Sequence, residues 1–224
     1  MFDAIAGRYD FLNHLLTAGI DRRWRRRAIR SLALTGRERI LDLCTGTADL
    51  AIAALTADPS AARVFGVDFA AAMLQAGQKK LRERRLDRAG ALVRGDAMRI
   101  PLADHAVDGV TMGFGIRNVE NVQAVCDEIT RVLKPAGRLA ILEFAIPTVA
   151  AVRRPYLWYF NRVLPRIGTL VSRHNSAYGY LAASVAAFTS PDELVTILRQ
   201  HGFVEVSAVP LTFGIVFLYT ARRG

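Results

Sequence analysis

The sequence predicts an α/β chain built on a mostly parallel, Rossmann-like sheet with helices on both faces. Three observations carry that expectation. Five short apolar runs alternate with helical patterns over roughly one hundred residues, the layout of consecutive βα units with right-handed crossovers. The first run, Arg39 to Leu43, enters a tight turn centred on Gly46 and then an Ala-rich helical pattern. The second, Ala62 to Val67, ends in Asp68 about twenty residues beyond that turn, where a carboxylate suits both hydroxyls of a ribose.

Composition bounds the rest. With 224 residues, 52% of them hydrophobic, the chain has ample material for one core, so a single domain is expected. Within it, 1–35 reads as a helical cap, 36–146 as a ligand-binding core, 147–190 as an insertion and 191–224 as a helix plus hairpin. No apolar run reaches the roughly eighteen residues of a membrane span, and no signal segment is expected before the first polar stretch. Cys44 and Cys126 are isolated, which favours reduced thiols in a cytoplasmic protein. The four histidines (His14, His105, His174, His201) show no metal-binding spacing, so no metal is expected. The net charge of +10 suits nucleic acid, an anionic membrane or a solvated basic exterior.

Much of that charge sits early. Arg22, Arg23, Arg25, Arg26, Arg27 and Arg30 surround the apolar stripe Trp24, Ala28, Ile29 and Leu32, so a helix with one packed edge and a cationic back is expected. After the first strand the turn Cys44-Thr45-Gly46-Thr47-Ala48 lets the backbone approach a ligand, though Cys44 and Ala48 stand where glycines often occur. Asp42 either touches that ligand or orients the turn. Ala51 to Ala57 reads as the first crossover helix. Phe69 to Arg85 reads as the second, with Met73, Leu74, Gly77 and Leu81 inward and Phe69 beside an adenine held next to Asp68. A third strand, Ala91 to Val93, leads to Asp96 and Ala97, which suit an adenine edge. Val107 to Met112 is the fourth strand, Val122 to Leu133 a helix stopped by Lys134-Pro135-Ala136-Gly137, and Arg138 to Phe144 the fifth strand. The insertion carries Tyr156 to Phe160, Pro165 and Tyr178 to Leu181 flanked by arginines, the pattern of a lid over an apolar groove. Pro191 to His201 is a last helix, and Phe203 to Val209 with Ile215 to Ala221 form an antiparallel hairpin.

Several motifs together resemble the quinone-biosynthesis C-methyltransferase family, which methylates demethylmenaquinol and polyprenyl benzoquinol rings. They are Phe2-Asp3-x-Ile5-Ala6-x-x-Tyr9-Asp10 with Asn13, Gly19 and Trp24-Arg25, then Leu41-Asp42-x-Cys44-x-Gly46-Thr47-Ala48-Asp49. Gly113-Phe114-Gly115-Ile116-Arg117-Asn118-Val119, Arg131 to Pro135, Leu142-Glu143-Phe144 and Leu211-Thr212-x-Gly214 complete the set. The glycine and Lys-Pro turns are shared by many class I methyltransferases; the Phe-Gly-Ile-Arg-Asn run and the Tyr-Asp start are more selective. Ala136 departs from the family's usual glycine, Ala183 from a common Glu and Thr189 from a common Pro.

The resemblance implies a seven-stranded class I S-adenosylmethionine-dependent methyltransferase fold with a helical lid. It implies S-adenosyl-L-methionine as co-substrate, with Thr47, Asp68, Asp96, Ala97 and Gly113 around it; the residue pattern itself adds Gly46 and Phe69, and Asp42 if it touches the ligand. A quinol ring carbon is nucleophilic once its neighbouring hydroxyl loses a proton, so the expected catalytic residues are Arg117 beside the phenolic oxygen, with Asn118 and Tyr9. A fixed donor of this kind contributes on the order of 3 kcal/mol. Menaquinone biosynthesis is the expected setting, with ubiquinone biosynthesis as the alternative. An RNA methyltransferase and a non-catalytic membrane-surface scaffold are the other classes that the basic composition leaves open. The expected partners are a prenylated quinol and an anionic membrane surface met peripherally, with a homodimer left open and no nucleic acid.

Overall fold

The computed structural model describes residues 17, 19–147, 149–158, 162, 183–185 and 187–224. Along them run α1 (Asp21–Ser31), β1 (Arg39–Leu43), α2 (Asp49–Leu55), β2 (Arg63–Asp68), α3 (Ala71–Glu83), β3 (Gly90–Arg94) and β4 (Val107–Gly113). Then come α4 (Val122–Val132), β5 (Leu133–Phe144), α5 (Ala150–Trp158), α6 (Pro191–Gln200), β6 (Phe203–Leu211) and β7 (Val216–Arg223). The strands form one seven-stranded sheet in the order β3-β2-β1-β4-β5-β7-β6. All pairs through β5 are parallel, while β7 runs antiparallel between β5 and β6. The strand order therefore reverses between β1 and β4, and a crevice opens at their carboxyl ends.

Central strands are apolar on both sides because both faces are covered. Leu41, Leu43, Val110 and Met112 pack with Val125 and Ile129 of α4 and Leu194 and Leu198 of α6. Ile40, Val64, Ala140 and Leu142 pack with Trp24, Ala28 and Ile29 of α1 and Leu50, Ala51 and Ala54 of α2. Each fully buried Leu or Ile contributes about 1.5–3 kcal/mol.

Three local outcomes differ from the expectations. On α1 the stripe Trp24, Ala28, Ile29 and Leu32 is buried and most arginines are exposed, but Arg25 is buried too. It is tolerated because Asp21, itself buried, and Asp49 pair with it. The Lys134–Gly137 turn does not precede β5 but lies inside it: Leu133 already pairs with Val107, and the chain bulges before Arg138 meets Gly109. Ala136 takes φ +61° at that bulge, the conformation for which glycine is the ordinary choice. Lastly, β6 continues through Pro210, which is possible because β6 is an edge strand with one side unpaired. Of the expected lid, α5 and residues 183–185 are described; Tyr159, Phe160, Pro165 and Tyr178 to Leu181 lie outside the described residues, as does Tyr9.

Candidate active site

Asp42 anchors the turn after β1. Its buried carboxylate accepts hydrogen bonds from Thr45 Oγ1 (2.6 Å), the Ala51 amide (3.1 Å) and Thr111 Oγ1 (2.8 Å). These three contacts tie β1 to the turn, to α2 and to β4. Burial raises its pKa to about 6, against the pull of those bonds. Of the two roles open to Asp42, these bonds account for the orienting one. Within the turn, Cys44, Gly46 and Ala48 all have positive φ (54°, 54° and 66°). The glycine signature is thus faint in the sequence although the left-handed backbone is present. Two L-residues carry it, at about 1–2 kcal/mol each, and the Asp42 contacts hold it.

Asp68, at the end of β2, accepts from the Gly46 amide (2.7 Å) and the Ala70 amide (2.8 Å). A carboxylate has about four acceptor positions, so the same group can also receive ribose hydroxyls. Phe69 projects into solvent at 72% exposure, with the Arg94 guanidinium 5.4 Å from its ring centroid. Asp96 accepts from the Met98 amide (2.8 Å), which turns the chain so that Ala97 and Met98 face inward.

These residues enclose a cavity of about 300 Å³ at the β1/β4 crevice. Gly46, Asp68, Phe69, Asp96 and Ala97 line one part of it; Gly113, Phe114 and Asn118 line another. Thr47 faces a second, smaller recess of about 40 Å³ beside the same turn, with Asp42, Asp49 and Arg25. Cys44, Gly46, Gly113 and Phe114 are common to both walls, so the two spaces are neighbours. A Cβ on Gly115 would lie 2.5 Å from that of Cys44, so glycine is required for the two loops to approach so closely.

The Cys44 thiol reports the field in the cavity. Burial first, then the carboxylates of Asp68, Asp42, Glu143 and Asp96, push its pKa well above the ordinary thiol value. It stays protonated and is no nucleophile at neutral pH. Asp68 and Asp96 place two carboxylates in the cavity wall, a setting that favours a bound cation. An adenosyl sulfonium therefore fits the residues present in hydrogen bonding and charge.

The loop after β4 divides its two expected catalytic residues. Asn118 lines the cavity and donates from Nδ2 to the Phe114 carbonyl (3.3 Å). Arg117 is not among the lining residues. Its guanidinium donates to Glu143 (2.5 Å) and the Phe114 carbonyl (2.7 Å) through Nη1, and to Ser184 Oγ (3.3 Å) through Nε. It also lies 5.6 Å from the Phe144 ring centroid, and Phe144 stacks on Phe114 at 4.5 Å. Glu143 has no exposure at all. The sequence reading overlooked it as a partner, although an acidic residue inside the apolar run Ala140 to Phe144 was the available sign, since a buried charge needs a counter-ion.

Two structural neighbours separate fold from chemistry. The chain is similar to an S-adenosylmethionine-dependent methyltransferase from Aquifex aeolicus (TM-score 0.64, 18% identity, 89% of each chain covered). It is equally similar to the [4+2]-cyclase SpnF (TM-score 0.67, 17% identity, 90% of this chain and 80% of that one). At these identities the likeness establishes the fold alone. Sequence decides further: residues 1–223 match the model of the ubiE/COQ5 methyltransferase family. The chain belongs to that family. This ubiE/COQ5 methyltransferase is 46% identical to a ubiquinone/menaquinone biosynthesis C-methyltransferase of Syntrophotalea carbinolica, covering 100% of this chain and 92% of the relative. It is 43% identical to a demethylmenaquinone methyltransferase of Thermus thermophilus, with 100% of both covered. A third relative, from Porphyromonas gingivalis, is named a demethylmenaquinone methyltransferase and is 37% identical, with 100% of this chain and 91% of that one covered.

Proposed function

We propose that this ubiE/COQ5 methyltransferase transfers a methyl group from S-adenosylmethionine to a ring carbon of demethylmenaquinol, completing a menaquinol. The observation that carries the donor half is the cavity at the β1/β4 crevice, lined by Gly46, by the carboxylates of Asp68 and Asp96, and by Gly113. Full-length relatives named for demethylmenaquinone support the acceptor half. The benzoquinol of ubiquinone biosynthesis is the second reading, because the Syntrophotalea relative is named for both quinones.

The donor supplies an electrophilic methyl on sulfur. The ring carbon attacks it, a carbon–carbon bond forms as the sulfur–methyl bond breaks, and the thioether leaves with the bonding pair. Loss of the proton on that ring carbon restores aromaticity. Asp68 holds the ribose, with Asp96 and Ala97 at the adenine; Phe69 covers its face, and Thr47 borders the methionine arm. Alignment of carbon, methyl and sulfur contributes several kcal/mol, up to about 7–11 in favourable cases. Asn118, at the cavity wall, hydrogen-bonds the phenolic oxygen, joined by Tyr9 on the strength of the family motif. Arg117 acts as a positioning residue: paired with Glu143 and bonded to the Phe114 carbonyl, it fixes the loop that presents Asn118. A guanidinium stays protonated throughout, so the phenolic proton leaves by another group or water.

The acceptor carries a prenyl tail, so it is met at a lipid surface. Arg22, Arg23, Arg26, Arg27 and Arg30 form an exposed basic flank on α1 suited to anionic headgroups. Among the described residues no helix is long and apolar enough to cross a membrane. Incubation with labelled donor and, separately, reduced demethylmenaquinone, a methoxy-polyprenyl benzoquinol and bulk RNA tests the proposal. Label is expected in the naphthoquinol; label in RNA alone would overturn it.

A further inference from the structure

We infer that Arg25 receives the α-carboxylate of the donor's amino-acid arm, so that α1 is part of the donor site. The inference rests on the donor reading above and assigns one end of it. Arg25 is 9% exposed, while its neighbours Arg22, Arg23, Arg26 and Arg27 face solvent. Its Nη1 pairs with Asp21 and, at 3.1 Å, with Asp49. Asp49 in turn accepts from Lys80 Nζ (2.5 Å), which also reaches Thr47 Oγ1 (3.1 Å). Both of these Arg25 contacts use Nη1, and among the described residues Nε and Nη2 make no hydrogen bond.

The guanidinium borders the recess of about 40 Å³ beside the Gly46 turn. A recess of that size exceeds the roughly 10–15 Å³ that a single water needs, so it admits a small polar group. Its walls carry charged and hydroxyl side chains, and it adjoins the larger cavity across Gly46 and Gly113. A sulfonium placed there extends its amino-acid arm into this recess. A carboxylate then meets a guanidinium already oriented by two aspartates, with the parallel donors that suit bidentate pairing.

Calorimetry on the full chain with two nucleosides tests this. S-adenosylhomocysteine carries the amino-acid arm; methylthioadenosine keeps the adenosine and the sulfur but lacks it. Arg25→Gln is expected to weaken S-adenosylhomocysteine by about ten- to a hundredfold, the range of a lost charge-assisted hydrogen bond. Methylthioadenosine should hold within about twofold. Arg25→Lys keeps a charge between Asp21 and Asp49 and decides the matter if Arg25→Gln does not fold; it should weaken S-adenosylhomocysteine alone, by about tenfold, because an ammonium lacks the paired donors. Equal weakening of both nucleosides, or no weakening of S-adenosylhomocysteine, would reduce Arg25 to a brace between helices. A wild-type chain that binds neither nucleoside would instead overturn the donor reading itself.

Discussion

Asp42 and Arg117 share a property: each is a buried ionisable group, outside the lining of the larger cavity, that is held by structural partners. For Asp42 the consequence is a pH dependence. Its folded pKa is about 6 against an ordinary 3.8, so the fold favours the protonated form. That preference is complete below pH 4 and is lost as pH rises through about 6. Relative to Asp42→Asn, which does not titrate, the wild type should give up about 3 kcal/mol across that window. Urea titrations of both proteins at several pH values would show it, and parallel curves would refute it. For Arg117 the consequence is stability. Removing the guanidinium leaves Glu143 charged and sealed from water, so Arg117→Met should cost about 3 kcal/mol. Arg117→Met with Glu143→Gln should recover at least half. A loss well under 1 kcal/mol in urea unfolding would mean that the pair behaves like a surface contact.

At the scale of elements, periodicity and punctuation made the fold readable. Alternating apolar runs located the strands, and Asp68 and Asp96 at strand ends marked the ligand edge, because side chains at the carboxyl end of a parallel sheet face the crevice. What the sequence hid depends on contacts between distant segments. Arg25 looked like one more solvated arginine because only Asp21 stands near it in sequence, while its second partner, Asp49, lies on the next helix. The pairing of Arg117 with Glu143 crosses from the loop after β4 to β5, and no local pattern encodes it. The bulge in β5 was read as a loop, since Lys134-Pro135-Ala136-Gly137 carries turn chemistry whether or not its ends are paired. That bulge also supplies a prediction. Ala136 holds φ +61°, so Ala136→Gly should stabilise the chain by about 1 kcal/mol, relief of left-handed strain outweighing the entropy of glycine. A lowered urea midpoint would show that the conformation is not strained.

For the whole molecule, the sheet edge that holds the cavity is also where α1 begins. Trp24 Nε1 donates to Thr212 Oγ1 (2.8 Å), joining the first turn of α1 to the short link between β6 and β7, and the next residue, Phe213, is 78% exposed. An exposed aromatic beside a basic helix is the composition of a surface that meets anionic lipid. The chain should float with phosphatidylglycerol vesicles at low salt and be released as ionic strength rises; protein that stays in the aqueous fraction at low salt would contradict a peripheral encounter. Five arginines of α1 face outward, whereas the carboxylates of Asp68 and Asp96 line the cavity. Equilibrium dialysis of labelled S-adenosylmethionine against the folded chain checks the donor site itself. Saturable retention at a single site, displaced by S-adenosylhomocysteine, is expected; a correctly folded chain that retains no label would mean that the crevice is not a donor site.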